Sequence, residues 1–347
     1  MIILFVDITS SENYDFKYME SNPVGGTEST VLRLAKELAK THHVFISQLN
    51  RTEHYIENNV KFIHDNESVT QKKFTPDIII IIRKYKLLKR YSLVYPDAKL
   101  YVWSHNFSNP EILGRRHWMV KTKAKVICVS QNHADHIDKI LNGKLSWFFR
   151  LLAFKFKKIP MTYIHNTIEQ DFSNRTRKID PNKLFFFSTP NKGLRETLEH
   201  FSALLKKAPD YKLYITADES SYKAYNLNKE LVNSDSVVLL GRIAKQDIIK
   251  HLQESFCVFY PQHVYAETFG LVYVEANCAG TPVLAHNFGA ANEVIKNKEQ
   301  LVDGTNSEDV VNKILDWAEN GRPQVSCDER FSIFYAMKKW NKVLNLT

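Results

Sequence analysis

Five consecutive isoleucines, Ile78 to Ile82, stand in this chain with no polar residue among them. A strand open to water on one face alternates apolar and polar side chains. An unbroken apolar run of this length therefore reads as a strand covered on both faces, which is the condition of a parallel sheet packed between helices. Similar short runs recur at 2–6, 44–48, 100–103, 126–129 and 161–164, then at 184–187, 212–216, 237–240, 257–260 and 283–285, with helix-like segments between them. Repeated strand–helix alternation of this kind predicts an α/β chain built as two doubly wound sheets, with ligands at the carboxyl ends of the strands. The polar stretch 166–181 marks the join. The expected domains are thus 1–165 and 166–325, followed by a helical tail at 326–347 in which Phe331, Phe334, Trp340 and Leu344 recur at roughly helical spacing.

Length and composition fit this division. A chain of 347 residues accommodates two domains, and 44% hydrophobic with 24% charged residues is ordinary for a globular protein, which excludes collagen-like, disordered and disulfide-framework classes. The N-terminus enters its first strand without a basic region or a cleavage site, and no apolar stretch reaches about 18 residues, so a cytoplasmic chain without signal peptide or transmembrane helix is expected. Cys128, Cys257, Cys278 and Cys327 are widely spaced without a CxxC, and read as reduced packing residues. The formal charge of +9 calls for an anionic partner.

The most informative run is 266–283, AETFGLVYVEANCAGTPV. It reads as a loop carrying Glu267, a helix opening near Thr268 and stopped by Gly280, then a short buried strand. A helix start offers unpaired N–H groups and the positive end of a dipole, which suit a diphosphate. Eight residues at 3.6 per turn bring Glu275 round to within about 80° of Glu267. The two carboxylates can then accept from the hydroxyls of one extended ligand such as a sugar nucleotide.

This run resembles the signature of retaining GT-B glycosyltransferases of the family-4 type, E-x-F-G-x-x-x-x-E-A-x-x-x-G-x-P-V, at every fixed position. The resemblance implies two Rossmann-like domains facing across a cleft, with the C-terminal helix returning to the first. It implies transfer of a sugar from a nucleotide-diphosphate donor, most simply a UDP-sugar, to a glycan or glycolipid acceptor with retention of configuration, as in polysaccharide or lipopolysaccharide biosynthesis. It assigns Glu267 to donor-sugar hydroxyls, Glu275 to the ribose, and the amides of Thr268, Phe269, Gly270 and Leu271 to the diphosphate.

Other positions take their expected roles from the same resemblance. Gly25 and Gly26 precede a segment of helical periodicity and match the first-domain glycine-rich loop; taken alone, a Gly-Gly pair is a weak signal. His105 follows the strand at 100–103, where the family places a histidine against the donor sugar, though Asn106 stands where an aspartate is usual. Lys192 and Gly193 match a Lys-Gly pair that faces the diphosphate, but Ser188 or Thr189 occupies the position of the expected arginine, which removes a bidentate phosphate donor. Gly241 and Arg242 fit the loop that meets the nucleobase. His133 opens a helix after 126–129 and is a further candidate for sugar or acceptor contact.

No D-x-D, H-E-x-x-H or Cys/His cluster of ligand spacing occurs, so no metal or other cofactor is expected, and Lys192 with helix amides would neutralise the leaving group. A basic, aromatic stretch at 144–158 admits two readings. It is either an interfacial helix on an anionic membrane, which would make the protein peripheral on the inner face, or a helix partly buried in the first domain. Other functions remain open to the same sequence: an epimerase on the same fold, a catalytically silent nucleotide-sugar binder suggested by the missing arginine, and a nucleic-acid-binding protein suggested by the charge, for which no motif is present.

Overall fold

The computed structural model describes residues 1–10, 12–68, 74–107, 110–143, 157–168, 177–218, 220 and 227–346. The chain divides into two compact units, one of Met1–Met19, Val24–Thr167 and Ile333–Thr347, the other of Glu20–Pro23 and Ile168–Ser332. The boundaries expected at 165/166 and 325/326 thus fall at 167/168 and 332/333. Most of the basic stretch 144–158 lies outside the described residues.

The first unit carries an eight-stranded sheet. Its strands are β1 (Ile2–Asp7), β2 (His43–Gln48), β3 (Tyr55–Glu57), β4 (Val60–His64), β5 (Ile78–Ile82), β6 (Lys99–Trp103), β7 (Lys125–Cys128) and β8 (Met161–Tyr163), in the spatial order β3-β4-β2-β1-β5-β6-β7-β8. The five isoleucines are 0% exposed and pair in parallel with β1 on one side and β6 on the other, with Ile80 opposite both Phe5 and Tyr101. The central position of the run explains why it carries no polar residue. Strand order reverses between β1 and β5, which makes their carboxyl ends a topological switch point. The hairpin β3–β4 was not expected. Among the described residues it is the one antiparallel pair of this sheet, and it turns on Asn58 and Asn59, both at positive φ (49° and 61°), a conformation asparagine tolerates better than most residues.

The second unit carries β9 (Asp180–Phe186), β10 (Lys212–Ile215), β11 (Val237–Leu239), β12 (Ser255–Tyr260), β13 (Val283–His286) and β14 (Leu301–Val302), ordered β11-β10-β9-β12-β13-β14 and parallel throughout. Its switch point lies between β9 and β12. Both units are therefore doubly wound α/β sheets, as expected from the alternation.

The tail corrects one expectation. Phe331 ends a short 3-10 turn in the second unit, where it packs edge-on against Phe269 at 5.3 Å. Only then does the terminal helix begin, at Ile333–Leu344, within the first unit. Trp340 is 1% exposed and T-shaped against Trp103 at 4.7 Å, and the Tyr101 hydroxyl donates to the Val343 carbonyl. Phe334 is 62% exposed, so the four apolar residues do not form one buried face.

The cysteine reading is corrected as well. Cys278 and Cys327 form a disulfide across 49 residues of sequence. Their spacing gives no hint of it, because the pairing is made by the fold of the second unit. Cys128 and Cys257 are free and buried, and burial pushes the Cys128 thiol up to about 12 and Cys257 upward as well. Among the described residues no helix is long and apolar enough to cross a membrane.

Candidate functional site

Two clusters of polar side chains gather at the carboxyl edges of the sheets, one in each unit. In the second unit the chain leaves β9 through Phe187 and Ser188, turns at Thr189 to Lys192, and starts a helix, Leu194–Leu205, from Gly193. Gly193 has φ +83°, and a Cβ there would stand 2.4 Å from the Gln262 Cβ, so this turn accepts no other residue without strain. The turn sets Lys192 beside the loop that follows β12. Its Nζ donates to both oxygens of Glu267, at 2.9 and 3.0 Å, and lies 4.9 Å from the Tyr265 ring centre.

Glu267 is only 6% exposed. Besides Lys192 it accepts from the Tyr260 hydroxyl at 2.9 Å. Its backbone carbonyl accepts from the Ala290 N–H, and Gly289, at φ +59°, lies so close that a Cβ would come within 2.7 Å of that carbonyl. Gln262 ties the intervening loop, accepting from the N–H groups of Val264 and Tyr265 and donating to the Tyr265 carbonyl. Burial works against the Lys192 ammonium, but the charges of Glu267 and Tyr265 and the hydrogen bond outweigh it, so its pKa is raised. Lys192 is thereby held as a cation at the lip, with the Glu267 carboxylate beneath it.

The helix after Glu267 starts later than expected. It spans Leu271–Cys278, because Gly270 sits at φ +82° and breaks helical geometry one residue ahead of Leu271. Thr268 and Phe269 therefore belong to the loop, and Phe269 is buried against Phe331 instead of lining the helix mouth. The Tyr273 N–H of the first turn bonds the Gly270 carbonyl, while the N–H groups of Leu271 and Val272, at the helix start, have no helical partner behind them. Glu275 is half-buried on its second turn. Gly241, at φ +67°, follows β11 with open space around it, its N–H bonded to the Ala217 carbonyl, and Arg242 beside it is exposed.

In the first unit, Gly25 and Gly26 are exposed and lead into the helix Gly26–Leu38. Glu28, in its first turn, folds back over Gly25, where a Cβ would meet its Oε2 at 2.2 Å. Sequence reading missed what Glu28 reaches. Arg83, the residue after β5, donates from Nη2 to Glu28 at 2.7 Å and to Asp7 at 3.2 Å, and Asp7 also accepts from the Tyr14 hydroxyl at 3.0 Å. Arg83 has φ +61°, which is unusual for a side chain of its size, and its pKa is raised by Asp7 and Glu28 against the opposing effect of burial. The signal available in the sequence was position: a charged residue directly after a fully buried strand at the switch point.

His105, one residue beyond Ser104 at the end of β6, is 6% exposed and packs on the Trp103 ring at 4.7 Å. Burial, then the charges of Arg83 and His133, hold its pKa well below the usual histidine range, so it is neutral. His133 lies beneath the surface of the first unit. It is 0% exposed on the first turn of the helix Gln131–Asn142, its Nδ1 accepts from the Val129 N–H at 3.4 Å, and its Nε2 lies 2.9 Å from the Asn106 carbonyl. Its work is to fasten the loop that carries His105. Among the described residues no three His, Cys, Asp or Glu side chains converge as a metal site.

Two parallel-sheet units of this order, each with polar groups at its switch point, define the GT-B glycosyltransferase fold. Structures of that class superpose over essentially the whole chain. HepE of Anabaena in complex with UDP-glucose aligns over all of both chains at a TM-score of 0.75 with 17% identity. Sucrose-phosphate synthase from Thermosynechococcus elongatus aligns over 99% of this chain and 98% of its own at 0.69 with 14% identity. A glycosyltransferase from Rickettsia africae ESF-5 aligns over 99% and 97% at 0.69 with 17% identity. Residues 169–331, nearly all of the second unit, match the description of glycosyl transferases group 1. A curated relative, D-inositol 3-phosphate glycosyltransferase of Rhodococcus jostii (strain RHA1), is 49% identical over 47 residues, a match spanning 13% of this chain and a tenth of that protein, 10%.

Proposed function

We propose that this protein transfers a hexose-type sugar from a nucleotide-diphosphate donor, in the first instance a UDP-sugar, to a glycan or glycolipid acceptor with retention of anomeric configuration and without a metal. The observation that carries the reading is the buried Glu267 carboxylate, held by Lys192 and Tyr260 directly ahead of a glycine-started helix, inside the segment that matches the group 1 family.

Each group has chemistry to contribute. Glu267 accepts hydrogen bonds from sugar hydroxyls. Lys192, cationic at every physiological pH, stabilises negative charge on the departing diphosphate, and the first-turn N–H groups of Leu271–Cys278 add to that stabilisation without reorganising. Glu275 accepts from the ribose, and the Gly241–Arg242 turn meets the base. Gly25, Gly26 and neutral His105 serve the sugar and acceptor. Retention is assigned to departure and attack on the same face, for which the acceptor proton passes to the leaving phosphate oxygen. A membrane-linked acceptor is part of the proposal on the strength of the basic, aromatic sequence at 144–158 alone.

The test is a panel of UDP-, GDP-, dTDP- and ADP-sugars, read by thermal shift and then by nucleotide release, with the anomeric configuration of any product read by proton NMR. One donor is expected to stabilise the protein and turn over, and Glu267→Ala and Lys192→Ala each lower turnover on the order of 100-fold or more. Binding without turnover in any condition would make the protein a silent sugar-nucleotide binder. An inverted product would overturn retention.

A further inference from the structure

Tyr260 is the last residue of β12, is 0% exposed, and has no counterpart among the residues that the signature motif singles out. Its ring is fixed on two sides, by Phe186 at 5.6 Å and by Tyr273 at 6.0 Å. A tyrosine has two side-chain torsions, so packing on both faces leaves its hydroxyl little freedom. That hydroxyl sits 2.9 Å from Glu267 Oε1.

The direction of each hydrogen bond follows from the charges. Burial first, and then the neighbouring Glu267 charge, raise the Tyr260 pKa well above its ordinary value, so the phenol keeps its proton and donates to the carboxylate. Having donated, it has only acceptor capacity left. Lys192 donates to both carboxylate oxygens. Among the described residues Oε1 thus accepts twice and Oε2 once, which leaves Oε2 as the oxygen with capacity for a ligand hydroxyl.

We infer that Tyr260 is a positioning residue for Glu267, its hydroxyl fixing the carboxylate that Lys192 also holds. This rests on the functional reading above.

Two measurements test the inference separately from that reading. The first is a double-mutant cycle on thermal unfolding with Tyr260→Phe, Glu267→Gln and both. Tyr260→Phe is expected to lower the melting temperature by about 3 °C in the wild-type background and by less than half as much in Glu267→Gln, because the partner is already altered. Equal losses in both backgrounds overturn the inference whatever the activity.

The second measurement is donor turnover on the sugar-nucleotide panel together with UDP affinity by calorimetry. Tyr260→Phe is expected to lower kcat about 10- to 100-fold with the Kd for UDP within about twofold, since a misdirected carboxylate harms the reacting geometry and not diphosphate binding. A matched loss of UDP affinity, or an unchanged kcat, overturns the positioning role. A wild-type protein that turns over no donor but keeps the coupling in the unfolding cycle refutes the transferase reading instead.

Discussion

Acidification should loosen the first unit through His133, and the size of the effect follows from its surroundings. The ring is 0% exposed, with Nδ1 facing the Val129 N–H and Nε2 facing the Asn106 carbonyl. Those neighbours assign the neutral tautomer with the proton on Nε2. A second proton on Nδ1 would point at an N–H. Burial lowers its pKa to about 4; the Asn106 carbonyl pulls the other way and does not prevail. In the unfolded chain the value is about 6.5. A folded pKa below the unfolded one means that the unfolded chain takes the proton first. The stability is therefore complete above pH 6.5 and falls as the pH drops towards 4. About 2.5 units at 1.36 kcal/mol each set a ceiling near 3.4 kcal/mol, of which about 3 kcal/mol is lost by pH 4. His105 shifts in the same direction and steepens the same window.

The assay is hydrogen exchange of the β7 and Gln131–Asn142 amides from pH 7.5 to 4, corrected for intrinsic rates, in wild type and His133→Gln. Wild-type protection should fall steeply below pH 6.5, and the variant should lose most of the His133 share of that slope. Parallel profiles in the two proteins would refute the reasoning. The loss has a functional face, since the bond to Asn106 fastens the loop that carries His105. Donor turnover should therefore fall over the same interval in the wild type.

Gly270→Ala combines a left-handed φ of +82° with a Cβ placed 2.3 Å from Tyr273, so a loss of roughly 2–4 kcal/mol is expected by chemical denaturation, together with reduced donor turnover as Tyr273 shifts against Tyr260. The Cys278–Cys327 bridge closes a loop over 49 positions of sequence; its removal by Cys327→Ser should destabilise the second unit by on the order of 4 kcal/mol, and a reductant should lower the wild-type melting temperature while leaving the variant unchanged.

Much of the architecture was legible in the chain because strands covered on both faces must be apolar along their whole length. The isoleucine run and its counterparts announced themselves for that reason. The β3–β4 hairpin escaped because its strands are short and only partly buried, and because an Asn-Asn turn looks like any polar loop until both residues are seen at positive φ. The helix after Glu267 was placed three residues early. A glycine in a pattern of apolar residues shows that a turn can occur, and not which residue takes the left-handed conformation.

Sequence alone determined the parts of this protein that are contiguous. It placed Glu267, Gly270, Glu275 and Gly280 in one run, and with them the resemblance to the group 1 glycosyltransferases. It also placed a lysine and a glycine after β9. What only the tertiary structure decided is which of these groups meet. Lys192 and Glu267 are 75 positions apart, Arg83 reaches across 76 to Asp7 and 55 to Glu28, and Cys278 meets Cys327 across 49. Strand order brings the first three contacts about, by setting β9 beside β12 and β1 beside β5. A hydrogen bond works only within about 3 Å, and the distance between two side chains from different strands is fixed by packing and pairing, which no local pattern of residues encodes.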